Sequence, residues 1–273
     1  MTKIAVIGLV GRSLFFEVPR FHSGGETIHA SGFHEEWGGK GFNQAVAAAR
    51  QGADVSFLGA AGASDMKPLE SFCSGEGIHA ALAAKGRQTA CAAIMIDGTG
   101  ETHVTVYPGA DLSATDVEGF AGAIAAADIL LLNNEVPEAV NLAAVRLAAG
   151  NGVRILFNPA PARQLPNEIR RAVSVWTPNA FEESAIGEVP GEVVTTLGAA
   201  GCRIRSTGEV VPAPAAKAVD TTGAGDTFTG VLAVRLAEGE SLRDACAAAN
   251  AAAAVEVSAR YVMPSIPRRR VAG

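Results

Sequence analysis

Gly38–Gly62 reads GGKGFNQAVAAARQGADVSFLGAAG: a glycine-rich loop, an alanine-rich helical pattern over Gly41–Gln51, then a short apolar run at Val55–Gly59. A run of apolar residues without polar alternation marks a strand buried on both faces, and a helix beside it points to an α/β protein. The pattern continues in both directions. Lys3–Leu9 (KIAVIGL) is a first apolar strand, and similar runs recur at Ile129–Asn133, Arg154–Asn158, Val173–Thr177 and Val193–Leu197. Helical patterns fall between most of them, at Thr115–Ala126, Pro137–Ala149 and Phe181–Ile186. Strands alternating with helices predict a mainly parallel sheet covered on both faces, with ligands beyond the carboxyl ends of its strands.

Two segments break the rhythm. Glu26–Trp37 (ETIHASGFHEEW) and Ala90–Val106 (ACAAIMIDGTGETHVTV) alternate apolar and polar residues, and the second carries a DGTG turn between two strands. They predict a small antiparallel sheet inserted into the α/β body, serving as a flap over the ligand edge, an oligomer surface, or both. The chain shows no low-complexity linker and no fixed-period repeat. The expectation is one domain over residues 1–273, with lid strands inserted at about 13–37 and 88–107.

Composition narrows the function. The formal net charge is -6, and the one basic block, Arg268–Arg270, reads as a solvated tail, so no basic footprint for a nucleic-acid backbone is present. Cys73, Cys91, Cys202 and Cys246 show neither a CxxC pair nor zinc-ligand spacing, which suits reduced cysteines in the cytoplasm. Met1–Val10 stops at Gly11 and Arg12 with no cleavage-site pattern, so it reads as a strand rather than a signal peptide. No apolar stretch approaches the roughly 20 residues that span a bilayer. A soluble, cytoplasmic protein without membrane or nucleic-acid partners is expected.

The chemistry concentrates in Asp220–Gly230 (DTTGAGDTFTG), where a helix starts near Gly225 and runs to about Ala237. Small residues let the N–H groups of Gly223, Ala224 and Gly225 converge on an anion, and the helix N-terminus adds partial positive charge. Asp226 beside such a hole suits a general base that accepts a hydroxyl proton while the amides stabilise a phosphoryl group in flight. Either acid could instead cap the helix, a role worth about 1 kcal/mol. Gly38–Asn43 (GGKGFN) also opens a helix; it is no Walker A loop, since Phe42 stands where Ser or Thr should follow the Gly-Lys pair. Lys40 and Asn43 can hydrogen-bond a polyhydroxylated ligand, although Lys40 also fits a solvated surface position.

Together these segments resemble the two signatures of the ribokinase/PfkB family of carbohydrate kinases. The resemblance extends through Asn158–Arg163 (NPAPAR), Thr177–Glu182 (TPNAFE) and Thr195–Gly201 (TTLGAAG), in the family's order and across nearly the whole chain. It implies a ribokinase-like three-layer α/β sandwich with a β-flap and an ATP- and magnesium-dependent phosphotransferase activity. The strand edges of the flap point to a homodimer through it. By similarity Asp226 is the catalytic base and Gly223–Gly225 form the anion hole. Gly39, Lys40 and Asn43 match the sugar-contacting loop, and Glu135 falls where ribokinase-like enzymes place another sugar-binding acid; a plain strand-end carboxylate is its alternative. Asn179 and Glu182 match the NxxE motif that arranges magnesium and phosphates partly through water, though the same spacing suits a helix cap. Thr196 and Gly198 match nucleotide contacts, and Asn250 lies where the adenine pocket is expected. A monovalent cation, potassium in ribokinase, would be held at Asp220, Thr222, Glu256, Ala259, Tyr261 and Ser265, largely by backbone carbonyls; Tyr261 stands where ribokinase has glycine.

One departure bears on the substrate. Ribokinases carry Asn-x-Asp after the first strand, and its aspartate binds sugar hydroxyls; this chain has Gly11-Arg12-Ser13, so Ser13 offers a single hydroxyl. Losing a carboxylate acceptor shifts recognition by about 1–3 kcal/mol. Arg12 could favour an anionic substrate or face solvent. The expected function is phosphorylation of an alcohol, a primary one, on a small sugar or sugar-like molecule. A nucleoside kinase of the same fold and a non-catalytic sugar or nucleotide sensor are the rivals. A nicotinamide-dependent oxidoreductase is disfavoured because GLVGRS lacks the G-x-G-x-x-G fingerprint.

Overall fold

The apolar runs pair as parallel strands, the arrangement that burial on both faces requires. A computed structural model describes residues 1–269. Its strands are β1 (Lys3–Ile7), β2 (Gly11–Glu17), β3 (Gly32–Gly38), β4 (Asp54–Gly62), β5 (Ile78–Lys85), β6 (Ala90–Ile96), β7 (Thr102–Tyr107), β8 (Ile129–Asn133), β9 (Arg154–Asn158), β10 (Val175–Trp176), β11 (Glu192–Thr196), β12 (Cys202–Ile204) and β13 (Val210–Val211). Its helices are α1 (Lys40–Arg50), α2 (Met66–Glu76), α3 (Ala114–Glu118), α4 (Ala121–Ala125), α5 (Glu138–Gly150), α6 (Asn167–Ala172), α7 (Ala180–Ile186), α8 (Ala224–Ala237) and α9 (Leu242–Glu256). None is long and apolar enough to cross a membrane.

The central sheet runs β13-β12-β11-β10-β9-β8-β1-β4-β5, parallel from β11 to β5, with β12 and β13 antiparallel at one edge. Two apolar clusters cover its faces. One joins β1 and β4 to α1, α2, α8 and α9 through Val6, Val46, Phe57, Leu69, Val231 and Ala249. The other packs Ile7, Leu130, Ile155 and Trp176 against α3 to α7 through Val117, Ile124, Val140, Ile169 and Ile186. The result is three layers, helix on sheet on helix.

A second sheet, β3-β2-β6-β7, is the lid: two antiparallel hairpin pairs joined by a parallel β2·β6 pairing. Register sets its faces, because side chains alternate along each strand. Ser13 lies opposite Glu36 and Phe15 opposite His34, whereas Arg12 lies opposite Trp37 on the other face.

Several boundaries differ from the sequence expectations. The stretch 26–31 is not strand, and β3 begins at Gly32, where side chains begin to alternate against β2. Thr115–Ala126 breaks into α3 and α4, because the chain turns at Gly119 and Phe120 to bury Val117, Phe120 and Ile124 together. The strand expected at Val173–Thr177 shortens to β10. Arg268 and Arg269 are not a free tail: they pair with Glu76 and Glu238, and Arg270 lies outside the described residues.

Glycine decides how closely the site-bearing helices approach. A Cβ on Gly41 would stand 2.6 Å from the Cα of Gly8, which lets the start of α1 sit against the end of β1. A Cβ on Gly230 would meet the Gln44 carbonyl at 2.5 Å, so α8 rests directly on α1. Forcing even one extra methyl into such a contact costs about 1–3 kcal/mol. The consequence is that side chains from the first turns of α1 and α8 touch.

Candidate active site

At that contact lies Asp226, 6% exposed. It does not cap its own helix. Its Oδ2 accepts a hydrogen bond from Asn43 Nδ2 (2.8 Å) and its Oδ1 one from Gln44 Nε2 (3.1 Å), both from α1. Gln44 Nε2 also reaches Asn158 Oδ1 (3.2 Å) at the carboxyl end of β9. Burial pushes the Asp226 carboxyl above its ordinary value, while Lys40, Asn43 and Gln44 draw it back toward the ionised form. The charge of Asp226, opposed by burial and joined by Glu135 and Glu182, raises the Lys40 ammonium. Carboxylate and ammonium therefore stabilise each other's charge at the mouth of two helices.

Gly223 precedes α8 with φ +87°, the left-handed region that glycine favours, and a Cβ there would stand 2.5 Å from Val262. The turn leaves the first amides of α8 free. Among the described residues, the Gly225 and Asp226 N–H groups have no acceptor, and a Cβ on Gly225 would face open space. Ala224 N–H makes only a long contact to the Thr221 carbonyl, 3.4 Å. Unpaired amides at a helix start, with room in front of them, can receive an anion.

On the acceptor side, Gly39 adopts φ +106° with Leu9 O only 2.5 Å from where its Cβ would be. This tight entry aims the Lys40 backbone N–H at Glu135 Oε2 (2.7 Å), while Glu135 N–H is held by Asn133 Oδ1 (2.9 Å). Burial first, and then the charge of Asp226, push the Glu135 carboxyl up to about 7. Ser13 sits on the inner face of the lid, next to Gly38. Arg12 is directed elsewhere: it pairs with Asp65 at 2.6 Å and with Glu35, and lies over the Trp37 ring. The option of an anion-binding Arg12 is thereby removed, since its guanidinium is committed on the opposite face.

Asn179 caps α7. Its Oδ1 accepts the Glu182 N–H (2.8 Å) and Glu182 Oε2 accepts the Asn179 N–H (2.9 Å), a reciprocal capping box. This is the structural use that the spacing allowed, and the charge of Glu182 still reaches Lys40. Thr196 ends β11 beside Asn179, and Gly198 opens the exposed 3-10 turn that follows. Asn250 is buried in α9, where its amide nitrogen donates to the Val211 carbonyl (2.8 Å) and ties α9 to the sheet edge. Among the described residues, no group of three or more His, Cys, Asp or Glu converges to hold a metal ion.

The residues matched to a cation loop do gather. Asp220 accepts the Thr222 N–H (2.9 Å) and the Tyr261 N–H (3.3 Å), Ala259 N–H meets the Glu256 carbonyl, and Ser265 Oγ donates to the Arg260 carbonyl. Tyr261 holds φ +67°, the conformation a glycine adopts without strain. Glu256 is 1% exposed, and its Oε2 has no partner among the described residues. Burial, then Asp220, Asp226 and Glu36, push its carboxyl up to about 8.

Sequence reading missed Gln44, Asn158 and Glu36. Gln44 was findable: it follows Asn43 and lies four residues after Lys40, on the same helix face. Asn158 stood in the NPAPAR motif without an assigned role, and nothing in the sequence around Glu36 marks the Val262 and Met263 amides as its partners.

A buried carboxylate, an ammonium and free helix-start amides at the carboxyl edge of a parallel sheet form the equipment of a phosphotransferase. The model of the pfkB family carbohydrate kinases matches residues 1–269, and the chain belongs to that family. It is accordingly a phosphotransferase acting on a sugar. It is 33% identical to the ribokinase of Haemophilus influenzae, over 98% of this chain and 96% of that one. The structure of Arabidopsis thaliana ribokinase complexed with ribose and ATP superimposes with a TM-score of 0.86 at 27% identity, covering 98% of this chain and 96% of the other. A nucleoside kinase from Methanocaldococcus jannaschii gives a TM-score of 0.84 at 20% identity, covering 98% and 95%, a likeness of fold alone.

Proposed function

We propose that the protein transfers the terminal phosphoryl group of ATP to an alcohol, a primary one, of a small sugar or sugar-like acceptor, with Asp226 as general base. The observation that carries this reading is the placement of Asp226, buried and held by Asn43 and Gln44 directly behind the free amides of α8. Ser13, Gly39, Lys40, Asn43 and Glu135 position the acceptor. Asp226 takes the hydroxyl proton as the new oxygen–phosphorus bond forms and the bond from that phosphorus to the bridging oxygen breaks, releasing ADP, while the Gly223, Ala224 and Gly225 N–H groups receive the charge on the transferring oxygens. Lys40 keeps Asp226 ionised until that moment. The lid excludes water, which suppresses transfer of the phosphoryl group to water instead of sugar.

Thr196 and Gly198 would contact the nucleotide, and Asn250, by holding α9 to the sheet edge, would shape the adenine side. Asn179 and Glu182 would hold a magnesium ion through its waters, which suits an ion that keeps several of them. When bound, it supplies neutralisation of phosphate charge. The loop of Asp220, Thr222, Glu256, Ala259, Tyr261 and Ser265 fits a monovalent cation such as potassium: the partnerless Glu256 oxygen and the positive φ of Tyr261 both suit a backbone folded around positive charge. The ATP- and ribose-bound Arabidopsis relative supports the nucleotide and the sugar class. Ser13 in place of a carboxylate argues that the preferred sugar need not be ribose. The exposed apolar lid residues Phe33, Val104, Val106 and Tyr107 support a homodimer through that sheet.

Replacing Asp226 with Asn tests the base directly. Turnover is expected to fall about 10²–10⁴-fold with ATP affinity within about twofold of the parent. Near-parent turnover would remove Asp226 from that role.

A further inference from the structure

Both carboxylate oxygens of Glu36 accept hydrogen bonds from outside the lid. Oε1 accepts the Val262 N–H at 2.9 Å, and Oε2 accepts the Met263 N–H at 3.2 Å and His34 Nε2 at 3.1 Å. Its side chain is only 5% exposed. The residues around it form a continuous clamp between the inner lid face and the 259–266 loop. Tyr261 stacks on His34 with ring centres 3.8 Å apart and packs edge-on to Phe15 at 5.2 Å. Its hydroxyl donates to Glu17 Oε1 at 3.2 Å, and Arg260 pairs with the same carboxylate.

The clamp joins the two halves of the reaction. On one side, Glu36 lies opposite Ser13 in the lid, and β3 runs from it through Gly38 and Gly39 into Lys40. On the other side, the Val262 side chain occupies the space beneath Gly223, whose amide begins the run in front of the transferring phosphoryl group. A movement of Val262 therefore reaches Gly223, and Glu36 is what fixes Val262.

We infer that Glu36 is a positioning residue for phosphoryl transfer, which couples seating of the lid over the acceptor to the geometry of the amide cradle at Gly223–Gly225. It acts through Val262 and touches no reacting atom. Two charge-assisted hydrogen bonds donated by successive amides to one buried carboxylate hold a backbone segment more tightly than apolar packing alone, because both distance and direction are fixed. Misplacement of a supporting group by about 1 Å costs on the order of a hundredfold in rate. Loss of Glu36 should accordingly lower kcat while leaving acceptor affinity, set by Lys40, Asn43 and Glu135, close to the parent value.

The test compares the parent with Glu36→Gln, Glu36→Ala and Gly223→Ala, using the sugar that the parent phosphorylates fastest. Expected is a fall in kcat of on the order of tenfold to a hundredfold for Glu36→Ala, with acceptor KM within about twofold. Glu36→Gln keeps the shape and one acceptor, so its kcat should fall between the two. In the parent, hydrogen exchange at the Val262 and Met263 amides should slow when the sugar binds, and this slowing should vanish in Glu36→Ala. The inference rests on the amide-cradle reading, and the panel separates the two: if that reading fails, Gly223→Ala also leaves kcat at the parent value. If Gly223→Ala lowers kcat while Glu36→Ala does not, the clamp alone is wrong. Sugar-independent exchange at Val262 and Met263 in the parent overturns it without any variant.

Discussion

The two corners of the site are built in opposite ways. The base corner draws Asn43 and Gln44 from α1 and Asp226 from α8, on helices locked together by Gly230, so its geometry belongs to the rigid body. The lid corner places Ser13 and Glu36 on strands that reach the body through side chains and loop amides, chiefly Glu36 and His34 against Val262 and Tyr261. In the proposed reading, proton and phosphoryl transfer belong to the first corner, and Ser13 of the second contacts the sugar. Loss of the Asp226 carboxylate, or of the Glu36 clamp that acts on the amide cradle through Val262, should strike kcat, whereas loss of the Ser13 hydroxyl should strike acceptor KM.

After the loss expected for Asp226→Asn, the next largest effect lies at Gly223. Gly223→Ala puts a Cβ into Val262 and demands a left-handed conformation of alanine, a strain of about 1–3 kcal/mol. Relayed to the amide cradle, this should lower kcat roughly tenfold to a hundredfold, read by steady-state kinetics with nucleotide affinity measured alongside. A variant with unchanged kcat would show that the cradle tolerates displacement and would blur the distinction between the corners.

A smaller effect belongs to the lid. Ser13→Ala removes one neutral hydrogen-bonding group of about 0.5–1.5 kcal/mol, so acceptor KM should rise roughly twofold to tenfold with kcat unchanged. No change in KM would place Ser13 outside the acceptor pocket.

The smallest effect is a pH dependence. With its carboxyl up to about 7, Glu135 is mostly protonated on the acid side of that value and ionised above it. Only the ionised form accepts hydrogen bonds through both oxygens, so acceptor KM should fall a few-fold between about pH 6 and about pH 8. Glu135→Gln should flatten that limb. Persistence of the limb in the variant would assign it to another group.

Legibility in the sequence followed the same division. The runs at Lys3–Leu9, Ile129–Asn133 and Arg154–Asn158 and the Gly-rich starts of α1 and α8 are local patterns, and local patterns specified the sheet and the base corner. Whether Asp226 caps its helix was not decidable from spacing; only the packing of α8 on α1 turns its carboxyl to Asn43 and Gln44. Arg12 and Ser13 are adjacent in the chain yet sit on opposite faces, because register against β3 assigns them. Register depends on a partner strand some twenty residues away and on the turn between. Glu36 was invisible for the same reason: the N–H donors it accepts from lie 226 and 227 residues along the chain. The capping box at Asn179 and Glu182 was legible as spacing, but its use as a cap became definite only with both hydrogen bonds in place.

The most direct measurement is ADP release from ATP across ribose, fructose, other ketoses, aldonates, adenosine and pseudouridine, with and without potassium. A sugar should give the highest kcat/KM, and each ADP should be matched by one phosphorylated sugar. ADP release no faster with any sugar than with water, or a nucleoside preferred over every sugar, would contradict this expectation.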